Sequence, residues 1–323
     1  MRKRFFFVLY MLMMLLLTEA AFRVYIAARY KVSFFKPYDI MLLYYPELRP
    51  VLENNISLSD GYTDILLMGG SVLNPKYGHV EEELIKQLNN PHVRIHNVAR
   101  SAHTSLDSRI KYELLAGKHF DLVFVYHAIN EIRANNCPDE VFREDYSHYS
   151  WYLEVDELIQ HKEMNITVIP YMLHHLYKRI LFHIQKPVLL PTHLPPAEWL
   201  DYGKKVKTAV SFEKNMEYIV KTTGERGDRL LLSTFSVLKP ENTPETGGKL
   251  KVVELWGKQE YVLNAINVHN NITRKLAEKY KSCSFIDMEK IFPNEVGNFY
   301  DICHLSPKGS AEFAKILIPY IKK

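Results

Sequence analysis

The sequence predicts an α/β protein, a three-layer sandwich with a central parallel sheet of about five strands and an insertion. Short apolar runs alternate along the chain with segments of helical periodicity. Several runs lack polar alternation, as is typical of strands buried on both faces. The predicted strands are Asp64–Met68, Val93–Asn97, Leu122–Tyr126, Arg229–Phe235 and Cys283–Asp287. The predicted helices between and after them are Glu81–Leu88, Leu106–Leu115, Tyr261–Tyr280 and Pro307–Ile321.

The N-terminus predicts a membrane helix over residues 1–30. Arg2, Lys3 and Arg4 precede the apolar run Phe5–Leu17, which is short for a membrane span and matches a signal-peptide core. The helical pattern continues, however, and places Glu19 and Arg23 at i,i+4, which favours a retained anchor. A cleaved signal peptide and a buried helix are the alternatives. Positive charge before the span predicts a single-pass protein with its main domain in the periplasm or outside the cell.

The rest of the chain, residues 31–323, is predicted to form one catalytic domain. The strand–helix alternation is interrupted from about 136 to 227, where aromatic and proline-rich segments indicate an insertion over the sheet. The aromatic residues of this insertion are equally consistent with sugar stacking and with simple packing.

Composition excludes several classes of protein. The 323 residues are 47% hydrophobic and 24% charged, which is ordinary for a globular chain, and the net charge of +4 gives no reason to expect nucleic-acid binding. Three cysteines are too few for a disulfide scaffold. Three histidines of one amphipathic segment, His174, His175 and His183, have no carboxylate or cysteine positioned nearby in sequence, so no metal and no cofactor is expected.

Four polar motifs follow predicted strands or precede the last helix, where open α/β sheets bind their ligands. They are Gly69-Gly70-Ser71, Asn97 to Ser105, His127-Ala-Ile-Asn130-Glu131, and Asp301-Ile-Cys-His304. Ser306 is expected to cap the final helix, with Pro307 in its first position.

In content and order these motifs resemble the four blocks of the SGNH (GDSL-type) hydrolases. The resemblance covers about Thr63 to the C-terminus, and the Glu19–Arg23 spacing is similar to that of an N-terminally anchored branch that acts on exported polysaccharides. It implies a flavodoxin-like fold. It also implies that Ser71 is the nucleophile, His304 its general base and Asp301 the group that orients the imidazole.

The same resemblance implies that the oxyanion hole consists of the N–H groups of Ser71 and Ala102 and the side chain of Asn130. Three residues depart from the family pattern. Gly70 replaces an aspartate that is not the nucleophile. His127 replaces a glycine, would crowd the pocket and alter the choice of substrate, and is therefore a candidate substrate-binding residue. Ala102 replaces a glycine and keeps its N–H as a donor provided that its φ is not positive.

Arg100 and Arg133 flank the second and third motifs and are candidates to bind an anionic group of the substrate, although structural ion pairs are the simpler interpretation. The sequence therefore predicts a serine esterase that removes ester groups, O-acetyl groups first among them, from an exported glycan or lipid through a Ser71 acyl-enzyme. The alternatives are an O-acetyltransferase of cell-surface polysaccharide and a non-catalytic glycan-binding subunit. Protein partners are not predicted.

Overall fold

A computed structural model describes residues 2–57, 59–190, 195–239 and 255–322. Its sheet has five parallel strands in the order β2–β1–β3–β4–β5. The strands are β1 Thr63–Gly69, β2 Val93–Asn97, β3 Leu122–Tyr126, β4 Leu230–Ser233 and β5 Ser284–Ile286. The predicted three-layer α/β class and all five predicted strands are confirmed.

Eleven α-helices lie in the described part of the chain. In chain order they are α1 Arg2–Tyr30, α2 Met41–Tyr44, α3 Leu48–Glu53, α4 Val80–Leu88, α5 Ser105–Leu114, α6 Ser150–Ile159, α7 Ile169–Gln185, α8 Thr208–Arg226, α9 Gln259–Lys279, α10 Met288–Ile291 and α11 Pro307–Ile321. The predicted helices agree with α4, α5, α9 and α11 to within two residues. The predicted cap of α11 is also present, since the Ser306 hydroxyl accepts the Gly309 N–H at 3.1 Å.

The chain divides into two compact units. The larger unit comprises residues 47–145 and 190–323 and contains the sheet. On one side of the sheet α4 packs with α11, and α5, α8 and α9 pack together as a second group. Aromatic rings fill the contact between β3 and α11, with Tyr126 and Phe313 5.0 Å apart between ring centroids. Close packing of this kind fixes the strand ends from which the polar motifs project.

The smaller unit comprises residues 1–46 and 146–189 and contains α1, α2, α6 and α7. The predicted Glu19–Arg23 ion pair of α1 is confirmed at 2.6 Å. Trp151 of α6 packs edge-on against Tyr44 of α2, with ring centroids 5.1 Å apart. The predicted insertion thus supplies elements to both units, because α6 and α7 lie here whereas α8 lies in the larger unit against α5 and α9. The limits of the insertion, about residues 136 to 227, stay a prediction.

Candidate active site

The turn after β1 carries Ser71 and has no room for larger residues before it. A Cβ on Gly69 would lie 2.9 Å from the Tyr126 carbonyl oxygen, and one on Gly70 would lie 2.3 Å from Asn130 Nδ2. A larger residue at position 69 would clash with backbone and one at position 70 would displace the Asn130 side chain, so the two glycines let the turn approach the end of β3 closely. The aspartate of the family pattern would not fit at position 70 with Asn130 where it is. β1 and β3 are adjacent strands at the point where the chain reverses its direction across the sheet, a recurrent ligand site in such folds.

Ser71, His304 and Asp301 form one continuous chain of hydrogen bonds. His304 Nε2 lies 2.7 Å from Ser71 Oγ, and His304 Nδ1 lies 2.6 Å from Asp301 Oδ2. The His304 side chain is 19% exposed, so it is open to a ligand. A short loop closed by the Phe299–Leu305 bridge presents Asp301 and His304 just before α11. The three predicted residues are thus brought together from opposite ends of the domain.

Asp301 is held as a carboxylate by its surroundings. Burial raises its pKa, but hydrogen bonds from the His304 ring and from the backbone N–H groups of His304 and Cys303 outweigh burial and leave the pKa below its ordinary value. An ionised Asp301 accepts the Nδ1 proton of His304. The Nε2 lone pair of His304 then faces Ser71, which is the arrangement that a general base needs.

Asn130, at the end of β3, lies against the Ser71 turn. Its Nδ2 donates one hydrogen bond to the His103 carbonyl at 2.9 Å, and its Oδ1 accepts the indole N–H of Trp256 at 3.4 Å. These contacts fix which end of the amide faces the turn and leave one N–H of Nδ2 to donate. Trp256 follows residues outside the described part of the chain, and no sequence pattern pointed to it.

The backbone conformation of Ala102 corrects one expectation. Its φ is 65°, so the condition that φ should not be positive is not met. It is the third residue of a turn in which the His103 N–H donates to the Arg100 carbonyl at 3.2 Å, the position where a type II turn favours glycine. Alanine thus keeps the glycine conformation at a cost of about 1–2 kcal/mol. Within the described residues the N–H groups of Ser71 and Ala102 have no hydrogen-bond acceptor, so both are free to donate to a ligand.

The predicted substrate-binding residues differ in what they contact. Arg100 pairs with Glu47 at 3.0 Å, as the structural interpretation expected. Arg133 donates to the Ala102 carbonyl at 3.3 Å and so lies beside the candidate oxyanion hole. His127 is only 2% exposed, and its Nε2 lies 2.7 Å from Ser108 Oγ on α5. A role of any of the three in substrate binding stays a prediction.

A buried polar cluster beneath the site was not predicted. We call it the inner cluster; it consists of Ser105, Ser108, Lys111, His127 and Glu131. The Ser105 N–H donates to Glu131, and the Lys111 ammonium pairs with Glu47 at 2.7 Å. Burial raises the pKa of Glu131 to about 7 and lowers the pKa of His127 to about 3. The only sequence signal was Glu131 itself, the acidic residue directly after Asn130.

In the described residues one group of side chains has the composition of a metal site, namely Asp301, Cys303 and His304. Both ring nitrogens of His304 are already engaged with Asp301 and Ser71. Burial also raises the pKa of the Cys303 thiol well above its ordinary value, whereas a metal ligand must be a thiolate. These residues fit a hydrogen-bonded chain better than a metal site. Cys137, Cys283 and Cys303 are all unpaired.

The sequence prediction for the insertion histidines needs one correction. No carboxylate was expected near them, but His175 Nδ1 lies 3.1 Å from Glu157 Oε2 of α6, and His174 lies 2.8 Å from His161. Glu157 precedes these histidines on a different helix, so sequence proximity could not reveal the contact.

Comparison with solved structures identifies the fold. A putative acylhydrolase from Bacteroides fragilis NCTC 9343 superposes with a TM-score of 0.50 at 11% identity, over 88% of this chain and 96% of that chain. A GDSL-like lipase from Bacteroides thetaiotaomicron VPI-5482 gives a TM-score of 0.49 at 11% identity, over 86% and 98%. An acetylxylan esterase from Geobacillus stearothermophilus gives 0.44 at 14% identity, over 82% and 97%.

No protein-family model and no curated protein matches the chain. The structural likeness, at this low identity, shows the fold alone. The chain has the fold of the SGNH hydrolases, as its four motifs led us to expect.

Proposed function

We propose that this protein is a serine esterase of SGNH type that acts on ester groups, O-acetyl groups in the first instance, of an exported glycan or lipid. The observation that carries the proposal is the unbroken hydrogen-bonded chain from Ser71 through His304 to Asp301. A serine hydroxyl is a poor nucleophile without an adjacent base, and His304 Nε2 is in position to be that base.

In the first half of the reaction, Ser71 Oγ attacks the ester carbonyl carbon and His304 Nε2 takes the hydroxyl proton. Asp301 stabilises the imidazolium that results. The negative charge that develops on the carbonyl oxygen is directed to the N–H groups of Ser71 and Ala102 and to Asn130 Nδ2. When the tetrahedral intermediate collapses, the C–O bond to the alcohol breaks, and His304 returns the proton to the leaving alcohol.

In the second half, His304 removes a proton from water, and the water oxygen attacks the carbonyl carbon of the Ser71 acyl ester. When this intermediate collapses, the bond from the carbonyl carbon to Ser71 Oγ breaks, His304 returns the proton to Ser71, and the acid is released. A sugar hydroxyl in place of water would make the same protein an O-acetyltransferase. The triad serves both reactions, so only the acceptor that reaches the acyl-enzyme separates them.

The test is acetate release from acetylated glycans and from p-nitrophenyl acetate, with and without acceptor sugars. We expect release by the wild type and none by a folded Ser71→Ala variant. Acetate transfer to the sugar without free acetate would replace the esterase with the transferase. Binding of acetylated glycan without any turnover would favour a non-catalytic subunit.

We further propose that α1 anchors the protein, with the catalytic domain in the periplasm or outside the cell. α1 is long and apolar enough to cross a bilayer, and Arg2, Lys3 and Arg4 precede its apolar run. Alkaline phosphatase fused after Lys323 should be active, since that enzyme matures only after export. The fusion should also stay with membranes through a carbonate wash. An inactive fusion would reverse the orientation, and release by the wash would indicate cleavage.

A further inference from the structure

Helix α7 carries an exposed apolar stripe along its whole length. Its members are Leu173, Leu176, Tyr177, Ile180 and Ile184, which are 59%, 49%, 58%, 60% and 72% exposed. At 3.6 residues per turn they fall within a sector of about 100°, the width with which an amphipathic helix normally faces a core. Here the sector faces outward. Scattered surface leucines need no explanation, but a continuous stripe marks a binding surface.

The opposite side of α7 is the side that packs within its own unit. Tyr171 and Met172 are buried, and His175 bonds to Glu157 of α6. The stripe is therefore not a core face exposed by a missing neighbour, because α7 already has a packed side roughly half a turn away. It is a second apolar surface on a helix whose other side is already packed.

Helix α7 has basic residues and no acidic residue. The helix contains Lys178 and Arg179 and no acidic residue, and Lys186 follows directly after its end. Lys178 and Arg179 lie off the stripe, and basic residues on the polar face of an amphipathic helix are typical of helices that lie in a membrane interface, where the cations meet lipid phosphates.

The start of α7 is attached to α1. The Glu19 carboxylate accepts the Val168 N–H at 3.0 Å and the Thr167 hydroxyl at 2.8 Å. The Arg23 guanidinium donates to the Asn165 and Ile166 carbonyls at 3.2 and 2.9 Å. Arg4 and Arg23 lie about 28 Å apart along α1, close to the roughly 30 Å thickness of the hydrocarbon core. With α1 as the proposed anchor, these contacts would lie at the end of the span, at the level of the lipid headgroups.

We propose that α7 lies in the interface of the membrane that α1 crosses, with its apolar stripe among the acyl chains and Lys178, Arg179 and Lys186 near lipid phosphates. The inference rests on the proposed anchor and extends it, because it gives the smaller unit a second membrane contact. A single span leaves a domain free to rotate and tilt. An interfacial helix bonded to that span would hold this unit at a fixed height and orientation on the bilayer.

The test places one full-length chain in each lipid nanodisc of phosphatidylcholine and phosphatidylglycerol. Cys283→Ser removes the most accessible native thiol, and labelling of this variant must be negligible because Cys137 and Cys303 are buried. An environment-sensitive fluorophore is then attached to Ile180→Cys on the stripe, to Gln185→Cys off the stripe, or to Leu12→Cys in α1. All three positions are exposed, so the substitutions leave no cavity.

Lipids with a doxyl quencher in the upper acyl chain report depth at positions 180 and 185, and lipids with the quencher near the chain end report depth at position 12, in the middle of the span. We expect the label at 180 to be quenched roughly two-fold or more strongly than the label at 185, because interfacial helices bury their apolar face about 5–10 Å below the headgroups. Equal, weak quenching at 180 and 185, with strong quenching at 12, would overturn the interfacial helix while the anchor stands. Weak quenching at all three positions would remove the anchor and this inference together. Shielding of position 180 only in discs that hold two chains would assign the stripe to a second copy instead.

Discussion

Among the described residues of the larger unit, two serine–histidine pairs have the same separation but different surroundings. Ser71 Oγ lies 2.7 Å from His304, and Ser108 Oγ lies 2.7 Å from His127. His304 is partly exposed and has Asp301 on its other ring nitrogen. His127 is buried and, among the described residues, pairs with no carboxylate.

The difference shows that the distance from serine to histidine does not define a catalytic site. Burial lowers the pKa of His127 to about 3, so at neutral pH this ring is a poor acceptor for the Ser108 proton. The outer pair, Ser71 and His304, has an orienting carboxylate, solvent access and adjacent backbone donors. The inner pair, Ser108 and His127, satisfies two buried polar groups and so stabilises the fold.

The largest expected effect comes from replacing the two serines in turn. Ser71→Ala should lower kcat by at least about 10⁴-fold with an unchanged melting temperature, because it removes the nucleophile from a preformed site. Ser108→Ala, the matched control, should keep kcat within a few-fold but destabilise the fold by about 1–3 kcal/mol, since His127 loses its buried partner. Steady-state kinetics and thermal melts of both variants measure these two effects. A Ser108→Ala variant that is stable but inactive would reverse the assignment of the two pairs.

The next effect concerns Asn130, which lies against the turn that carries Ser71. Asn130→Ala should lower kcat by about 10²–10³-fold with KM nearly constant, because the amide acts mainly on the charge that develops in the transition state. Its bond to the His103 carbonyl adds a modest loss of stability. Asn130→Asp offers a control, because it keeps the volume but presents a carboxylate to the oxyanion, and it should be at least as inactive. A large drop in melting temperature with normal kcat would make Asn130 purely structural.

The inner cluster should be visible in the pH dependence of stability. The pKa of Glu131 is raised to about 7, so the folded protein keeps a proton that the unfolded chain loses above its ordinary pKa of about 4.3. Its contribution is fully present below that value and is lost as the pH rises through about 7. The free-energy difference between wild type and Glu131→Gln should therefore shift against the wild type by up to about 3 kcal/mol between pH 4.5 and 8.

His127→Gln is the control of opposite sign. The pKa of His127 is lowered, so its contribution is present above about pH 6.5 and is lost as the pH falls below it. Denaturant melts at several pH values give both differences. Two flat, pH-independent differences would mean that the cluster does not titrate as its burial requires.

The smallest effect is expected at Ala102. Its φ of 65° favours glycine, so Ala102→Gly relieves the strain of the turn but adds freedom to the unfolded chain. We expect stabilisation of no more than about 1 kcal/mol and an unchanged kcat, because the N–H remains. Differential scanning calorimetry and kinetics of the same sample measure both. A loss of activity would indicate that the alanine methyl contacts the substrate.

The sheet was predictable because its signals are local, and the outer pair was predictable because the four motifs resemble those of a known family. Apolar runs such as Leu122–Tyr126 mark buried strands, and parallel strands bring their carboxyl ends to one edge, so Ser71 and Asn130 had to be neighbours. Asp301 and His304 occupy one loop, and their spacing already suits a shared carboxylate–imidazole contact. The Ser306 cap was predictable for the same reason.

The inner cluster and the contacts of α1 depend on partners far apart in sequence. Glu47 meets Lys111, and Glu19 meets Val168, only because the fold brings their segments together, and no local period encodes such pairs. The positive φ of Ala102 was missed because glycine, the usual sequence signal of such a turn, is absent at this position. The role of Arg100 was ambiguous because its partner Glu47 is distant in sequence and lies before the first strand.

The most direct test of the central claim is covalent labelling of the full-length protein with a fluorophosphonate, followed by peptide mass mapping. The account predicts one adduct, on Ser71, which is lost in Ser71→Ala and slowed strongly in His304→Ala and yet unaffected in Ser108→Ala. Absence of any adduct in a folded, wild-type sample, or an adduct on a serine other than Ser71, would contradict it.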